Sequence, residues 1–182
     1  MYNTAIILAD GFEEVEALTV VDLLRRAQIG CDTIALADAG QVTGSHGITV
    51  TVDGCFSATE LDRYDGVILP GGSPGTNNLA ADARVITLLQ RFYAAGKLTA
   101  AICAAPTVLA KAGLLDEKDA VCYPGMEEQL TGARLASGPV AIAGTVFTSR
   151  GVGTAIPFAL ALVEYFSGED RAHGLAKDIV YR

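Results

Sequence analysis

Leu98–Pro106 reads LTAAICAAP, an apolar, strand-like run that reaches Cys103 and passes at once into small residues and a helical pattern over Thr107–Ala112. Such a strand-to-helix joint is the repeating unit of a parallel α/β sheet. On either side of it, apolar runs bounded by Gly, Pro or charge recur at Thr4–Leu8, Thr33–Ala37, Gly66–Leu69 and Thr145–Thr148. Helical patterns separate most of them. Glu13–Ala27 places Val15, Leu18, Val21, Asp22 and Arg25 at three- and four-residue steps, with Gly30 punctuating its end. Asp82–Ala95 repeats the scheme, with Asp82 as N-cap and Gly96 as the stop. Two amphipathic patterns, Gly153–Phe166 and Glu169–Ile179, can pack back on the sheet. The alternation predicts an α/β fold with a mainly parallel sheet and helices on both faces.

Two segments break the alternation. Gln41–Val52, QVTGSHGITVTV, sets a Gly-Ser-His-Gly turn between β-prone residues and reads as a hairpin. VAIAGTVFTS reverses direction around Ala143-Gly144 and reads as a second one. No linker, repeat or low-complexity tract interrupts the chain, so 1–182 is expected to be one domain.

With 182 residues, a hydrophobic fraction of 51% and charged residues at 19%, the chain can bury a sizeable core without disulfide or metal support. A formal charge of -8 would repel a phosphate backbone or an anionic lipid surface, which argues against nucleic-acid and membrane partners. The N-terminal MYNTAIILADGFEE has no basic leader, and no apolar stretch reaches the roughly 18 residues of a spanning helix. A cytoplasmic protein is expected. Cys31, Cys55, Cys103 and Cys122 form no C-x-x-C pair and read as reduced thiols. His46 and His173 have no ligand at i+3 or i+4, so no metal site is expected, and no cofactor motif stands out.

Three elements carry the chemistry. A cysteine on an elbow at the carboxyl end of a sheet lies near free helix N–H groups, which favour the thiolate and predict a lowered Cys103 pKa. Taken alone, Cys103 reads equally well as a buried structural cysteine. Ile68–Gly75, ILPGGSPG, ends a strand in Pro-Gly-Gly, whose glycines let backbone N–H groups point into the crevice and hold an oxyanion; a tight turn with no ligand is the competing reading. In DGFEEVEA, Glu13 and Glu14 suit the helix dipole and solubility, whereas Glu16 lies deeper, beside Val15 and Ala17, and can tilt into the crevice.

Together ADGFEEVEA, VILPGGSPG, AAICAAPTVLA and TSRGVGTA followed by FALALVE, in this order, resemble the ThiJ/PfpI superfamily, and most closely its parkinsonism-associated deglycase branch. The likeness spans nearly the whole chain. It implies a flavodoxin-like three-layer sandwich and a homodimer, an association that an apolar Val15–Leu24 helix and an otherwise unpaired hairpin edge also favour. It further implies Cys103 as the reactive elbow cysteine, Glu16 as its acid partner, and the Gly72 and Ala104 amides as the cradle of an oxyanion or oxidised sulfur. Where many relatives carry a histidine before a proline, VCYPG has Tyr123, whose ordinary pKa of about 10 unfits it as a near-neutral proton shuttle. His46 matches a hairpin residue that reaches the partner's pocket in related dimers, with a solvated turn residue as its alternative. Arg26 is a second candidate for anion contact.

This resemblance implies a cysteine-dependent protein acting on small reactive carbonyls, of glyoxalase III or protein deglycase type. Cys103 thiolate would attack, and Glu16, kept protonated by desolvation, would donate to it. The rival is a non-enzymatic redox sensor or holdase chaperone that uses oxidation of Cys103. A cysteine peptidase or amidohydrolase ranks below both, since it needs a histidine near Cys103.

Overall fold

The computed structural model describes residues 2–181. A seven-stranded sheet runs in the order β10-β11-β7-β6-β1-β2-β5. It is built from β1 (Asn3–Leu8), β2 (Gly30–Ala35), β5 (Gly54–Cys55), β6 (Gly66–Leu69), β7 (Leu98–Ile102), β10 (Val140–Ala143) and β11 (Val146–Ser149). Every pairing is parallel except β10 with β11, the hairpin expected around Ala143-Gly144. β3 (Gln41–Thr43) and β4 (Thr49–Thr51) form the other expected hairpin as a separate antiparallel pair, and β8 (Asp119–Ala120) pairs with β9 (Arg134–Leu135).

Side chains alternate across the strands and so feed two cores. Ile6 and Leu8 of β1 join α1 (Glu14–Arg26) and α5 (Ala155–Ser167) on one face. Ala5 and Ile7 face the other way, against α3 (Ala83–Ala94) and α4 (Pro106–Lys111). With both faces covered, the strands read as continuous apolar runs, and the molecule is the flavodoxin-like sandwich. α2 (Gly75–Ala81) and α6 (Glu169–Asp178) complete the helices. Asp82 caps α3 by accepting the Arg84 N–H at 2.8 Å.

Some expected boundaries move. β2 covers Gly30–Ala35, not Thr33–Ala37, because the Gly30 N–H already bonds Tyr2 O at 2.9 Å and starts the ladder early. α5 begins at Ala155 after a 3-10 turn over Val152–Thr154. The row Val15, Leu18, Asp22 and Arg25 faces outward, with Val15 49% and Leu18 38% exposed, while Ala17, Val20, Val21 and Leu24 enter the core. α2 has no counterpart among the expected elements: its GTNNLAA sequence lacks an apolar period.

From β1 the chain leaves toward β2 on one side, while β6 and β7 lie on the other. The order therefore reverses between β1 and β6. A crevice forms beyond the carboxyl ends of strands at such a point.

Candidate active site

Cys103 follows β7 with φ 65°, a left-handed backbone that a non-glycine residue adopts only when its surroundings over-determine it. They do. Its N–H donates to Ser149 O at 3.0 Å, and its carbonyl accepts the Tyr123 N–H at 2.7 Å. Clamped on both sides, the elbow holds the thiol at the mouth of the crevice, half-buried, whereas Cys31 and Cys122 are buried.

The Pro-Gly-Gly turn after β6 is the second wall. A Cβ on Gly71 would stand 2.5 Å from Cys103 Cβ, 2.7 Å from Glu16 Oε2 and 3.0 Å from Cys103 Sγ. Only a glycine lets the carboxyl and the sulfur close on that point. Gly71 N–H donates to Glu16 Oε2 at 2.9 Å. Gly72, at φ 96°, packs so tightly that a Cβ would lie 2.4 Å from the Glu13 backbone nitrogen. Its N–H and that of Ala104 both act to favour the Cys103 thiolate.

Glu16 is fully buried, and its Oε1 has no hydrogen-bond partner among the described residues. Burial raises its pKa to about 7 against the pull of the Cys103 and Gly71 hydrogen bonds, with the charge of Glu13 adding to the rise. Cys103 is not lowered as expected. Burial first, then the charge and hydrogen bond of Glu16, push the thiol up to about 12, while the Ala104 and Gly72 N–H groups pull down. The six-residue α4 adds too little dipole to reverse this. When Glu16 takes a proton its charge vanishes and its O–H can donate to sulfur, so the two groups compete for one proton.

Glu14 departs from the solubility role expected of it. It is only 3% exposed, and its carboxylate accepts His46 N–H at 2.7 Å, Ile48 N–H at 3.4 Å and Ser45 hydroxyl at 3.4 Å, and meets His46 Nδ1 at 2.8 Å. Burial would raise its pKa, but these donors hold it down at about 2. His46 is thereby tied to its own chain's first helix, its pKa raised chiefly by the Glu14 hydrogen bond. Glu13, Glu14 and His46 also bring ligand-type atoms within 4.8 Å of one another, a cluster invisible to sequence spacing. Its Glu14 oxygens are already occupied by the hairpin. Arg26 stands at the far end of α1, paired with Asp22 at 2.7 Å, and lines no part of the crevice within this chain.

Two cavities meet at Cys103, Gly72 and Tyr123. One of about 760 Å³ runs past Thr76, Asn77, Thr107 and Met126. The other, about 480 Å³, is walled by Glu13, Glu16 and the Arg150–Thr154 turn. Tyr123 stands between them, half exposed, its ring about 3.5 Å from where a Gly151 Cβ would be. The arrangement offers a nucleophile, a carboxyl that titrates near neutrality and two amide donors at one point.

Residues 3–165 match the DJ-1/PfpI family model. A Drosophila melanogaster relative, protein dj-1beta, is 37% identical over 180 residues, covering 98% of this chain and 96% of its own length. A Caenorhabditis elegans relative named glutathione-independent glyoxalase DJR-1.2 is 31% identical, covering 92% of this chain and 89% of its own. Among solved structures, oxidized DJ-1 of Toxoplasma gondii superposes with a TM-score of 0.95 at 35% identity, over 100% of this chain and 99% of that one.

Proposed function

This chain belongs to the DJ-1/PfpI family, and from that premise we propose that it acts on small reactive carbonyls through Cys103, as a cofactor-independent glyoxalase or deglycase. The observation that carries the reading is the convergence of Cys103 Sγ and Glu16 Oε2 on Gly71, with the Gly72 and Ala104 N–H groups favouring the thiolate. The name of the nematode relative supports it.

On an α-oxoaldehyde the steps balance without an external oxidant. Sulfur bonds to the aldehyde carbon as Glu16 accepts the thiol proton, and the new oxyanion takes the amide donors. A proton then leaves the aldehyde carbon and returns to the neighbouring carbon, so one carbon is oxidised and the other reduced, leaving a thioester. Water cleaves that thioester to a 2-hydroxy acid and restores the thiol. A carboxyl with a pKa of about 7 is matched to moving these protons at neutral pH.

A redox-sensor reading draws on the same donors, which can receive the oxygens of a Cys103 sulfinate, and on the oxidized state of the Toxoplasma relative. The two part in one assay. Conversion of methylglyoxal to lactate, abolished in Cys103→Ser, is the expected result. No lactate from the fully reduced protein, with mild peroxide adding two oxygens to Cys103 first, would transfer the function to sensing. A Cys-His peptidase has no imidazole to call on, since neither His46 nor His173 lines a cavity that holds Cys103.

The proposal extends to a homodimer, for Val15, Leu18 and the hairpin's Ile48 leave apolar side chains exposed. Light scattering that returns the 18.9 kDa monomer mass at micromolar concentration would remove this part. Among the described residues no helix is long and apolar enough to cross a membrane.

A further inference from the structure

We propose that the cavity of about 760 Å³ beside Cys103 seats the non-reacting part of the compound taken there, an uncharged hydrocarbon group larger than methyl; this rests on the carbonyl reading above, which places the other end at sulfur. Two helices wall the cavity. α2 presents Thr76, Asn77 and Ala80 to it, and α4 presents Thr107, Ala110 and Lys111, in each case one helix face taken by three- and four-residue steps. Ala80 and Ala110, one from each wall, are short side chains that leave the space between them open. Met126 lines it from the loop beyond Tyr123.

The floor belongs to the core. Ala80, Ala110 and Met126 are half-buried and rest on the apolar cluster that α3 and α4 share with the sheet. A hydrocarbon group laid on them extends that cluster, and the flexible thioether of Met126 adapts to its shape. Size argues the same way. Methylglyoxal takes up roughly 100 Å³, about the room of four waters in the liquid, and would leave most of the 760 Å³ to solvent.

Charge separates the two cavities that meet at the thiol. Glu13, Glu16 and Arg150 line the smaller one, whereas Lys111 is the one charged residue along the larger, and its ammonium donates to Ala80 O at 2.7 Å. Thr107, near the elbow, likewise donates its hydroxyl to Ala104 O at 2.7 Å. Ser73, Asn77 and Gln129 stand exposed at the rim, where water serves them. What remains for a ligand in the half-buried part is apolar surface, with polar groups around the mouth.

N-alkylmaleimides read the cavity without carbonyl turnover, since one reactive ring adds to the thiol while the alkyl chain alone varies. From N-ethyl to N-heptyl, the rate at Cys103 relative to that of free cysteine should climb about two- to fourfold per methylene, the upper value being full transfer out of water. Peptide mass mapping assigns the adduct. A maleimide whose chain ends in a carboxylate should react more slowly than the alkyl one of equal length. Ala110→Leu, which fills the floor, and Met126→Gln, which makes it polar at similar volume, should each flatten the rise. A flat or falling series in the parent, a carboxylate chain as fast as its alkyl counterpart, or a rise that both variants keep overturns the proposal. Oxoaldehydes should follow the same order, with 2-oxoheptanal above methylglyoxal in kcat/KM, and the reverse order overturns it as well. A rising maleimide series with no oxoaldehyde converted keeps the cavity's ligand class and sinks only the carbonyl chemistry. Conversion of methylglyoxal with a flat series does the opposite.

Discussion

Glu14 and Glu16 stand two residues apart in the first turn of α1, and burial leaves them 3% and 0% exposed. Their pKa values nonetheless move in opposite directions, to about 2 and about 7. Desolvation penalises both. What separates them is the donor set. Glu14 lies under the β3–β4 hairpin, where two backbone N–H groups, a hydroxyl and an imidazole meet its oxygens. Glu16 lies under the Cys103 elbow, where one N–H meets Oε2, the thiol lies beside the carboxyl, and nothing among the described residues meets Oε1. Burial with a full set of donors makes a latch; burial with half a set makes a group that titrates near neutrality.

The widest gap between the two should appear in turnover. Glu16→Gln is expected to cut carbonyl conversion by about 10²- to 10⁴-fold, the range of a lost acid-base group, while Glu14→Gln stays within a few-fold of the parent. Equal losses in both variants would erase the distinction. Initial rates of lactate formation at pH 7 decide it.

A smaller gap should appear in stability against pH. The folded pKa of Glu16 is raised above its ordinary 4.5, so its contribution is fully present below about pH 4.5 and is lost as pH rises to about 7. A shift of this size is worth about 3 kcal/mol. Glu16→Gln should flatten that decline, so its urea midpoint should exceed the parent's at pH 8. A parent curve without a fall between pH 5 and 8 would contradict the burial cost assigned to Glu16. Glu14 has the opposite sign, its folded pKa depressed, so its contribution is present above about pH 4.5 and is lost as pH falls toward 2.

Smallest is the local cost of unlatching the hairpin. Glu14→Gln removes the charge but keeps one acceptor, and about 1–2 kcal/mol is expected. Hydrogen exchange should quicken at the His46 and Ile48 amides and stay unchanged in β7. Faster exchange across the whole sheet would mean that the latch is part of the core.

The sequence made the sheet legible because both faces of its strands are apolar, and the elbow legible because a strand runs straight into Cys103. α2 was not, since its contacts, not an apolar period, hold it. Cys103 and Glu16 were singled out by elbow position, depth on the helix and resemblance, and the geometry joins them through Gly71, a glycine of the Pro-Gly-Gly turn already marked for its backbone donors. Glu14 escaped because its partners lie 31 to 34 residues away on the hairpin. A first-turn glutamate looks the same in sequence whether it meets water or a hairpin. The lowered thiol pKa failed for a related reason: elbow position predicts nearby N–H groups, which are present, but not the buried carboxyl whose charge opposes them.

The chemistry of the site turns on Glu16 being held near neutrality beside the thiol. Carbon-13 NMR of the side-chain carboxyls, with Glu16→Gln and Glu14→Gln to assign the signals, follows each group directly. A Glu16 midpoint near 7 is expected, with a Glu14 signal that stays flat until the pH falls toward 2. A Glu16 midpoint near the ordinary 4.5, moving together with the exposed glutamates, would contradict it.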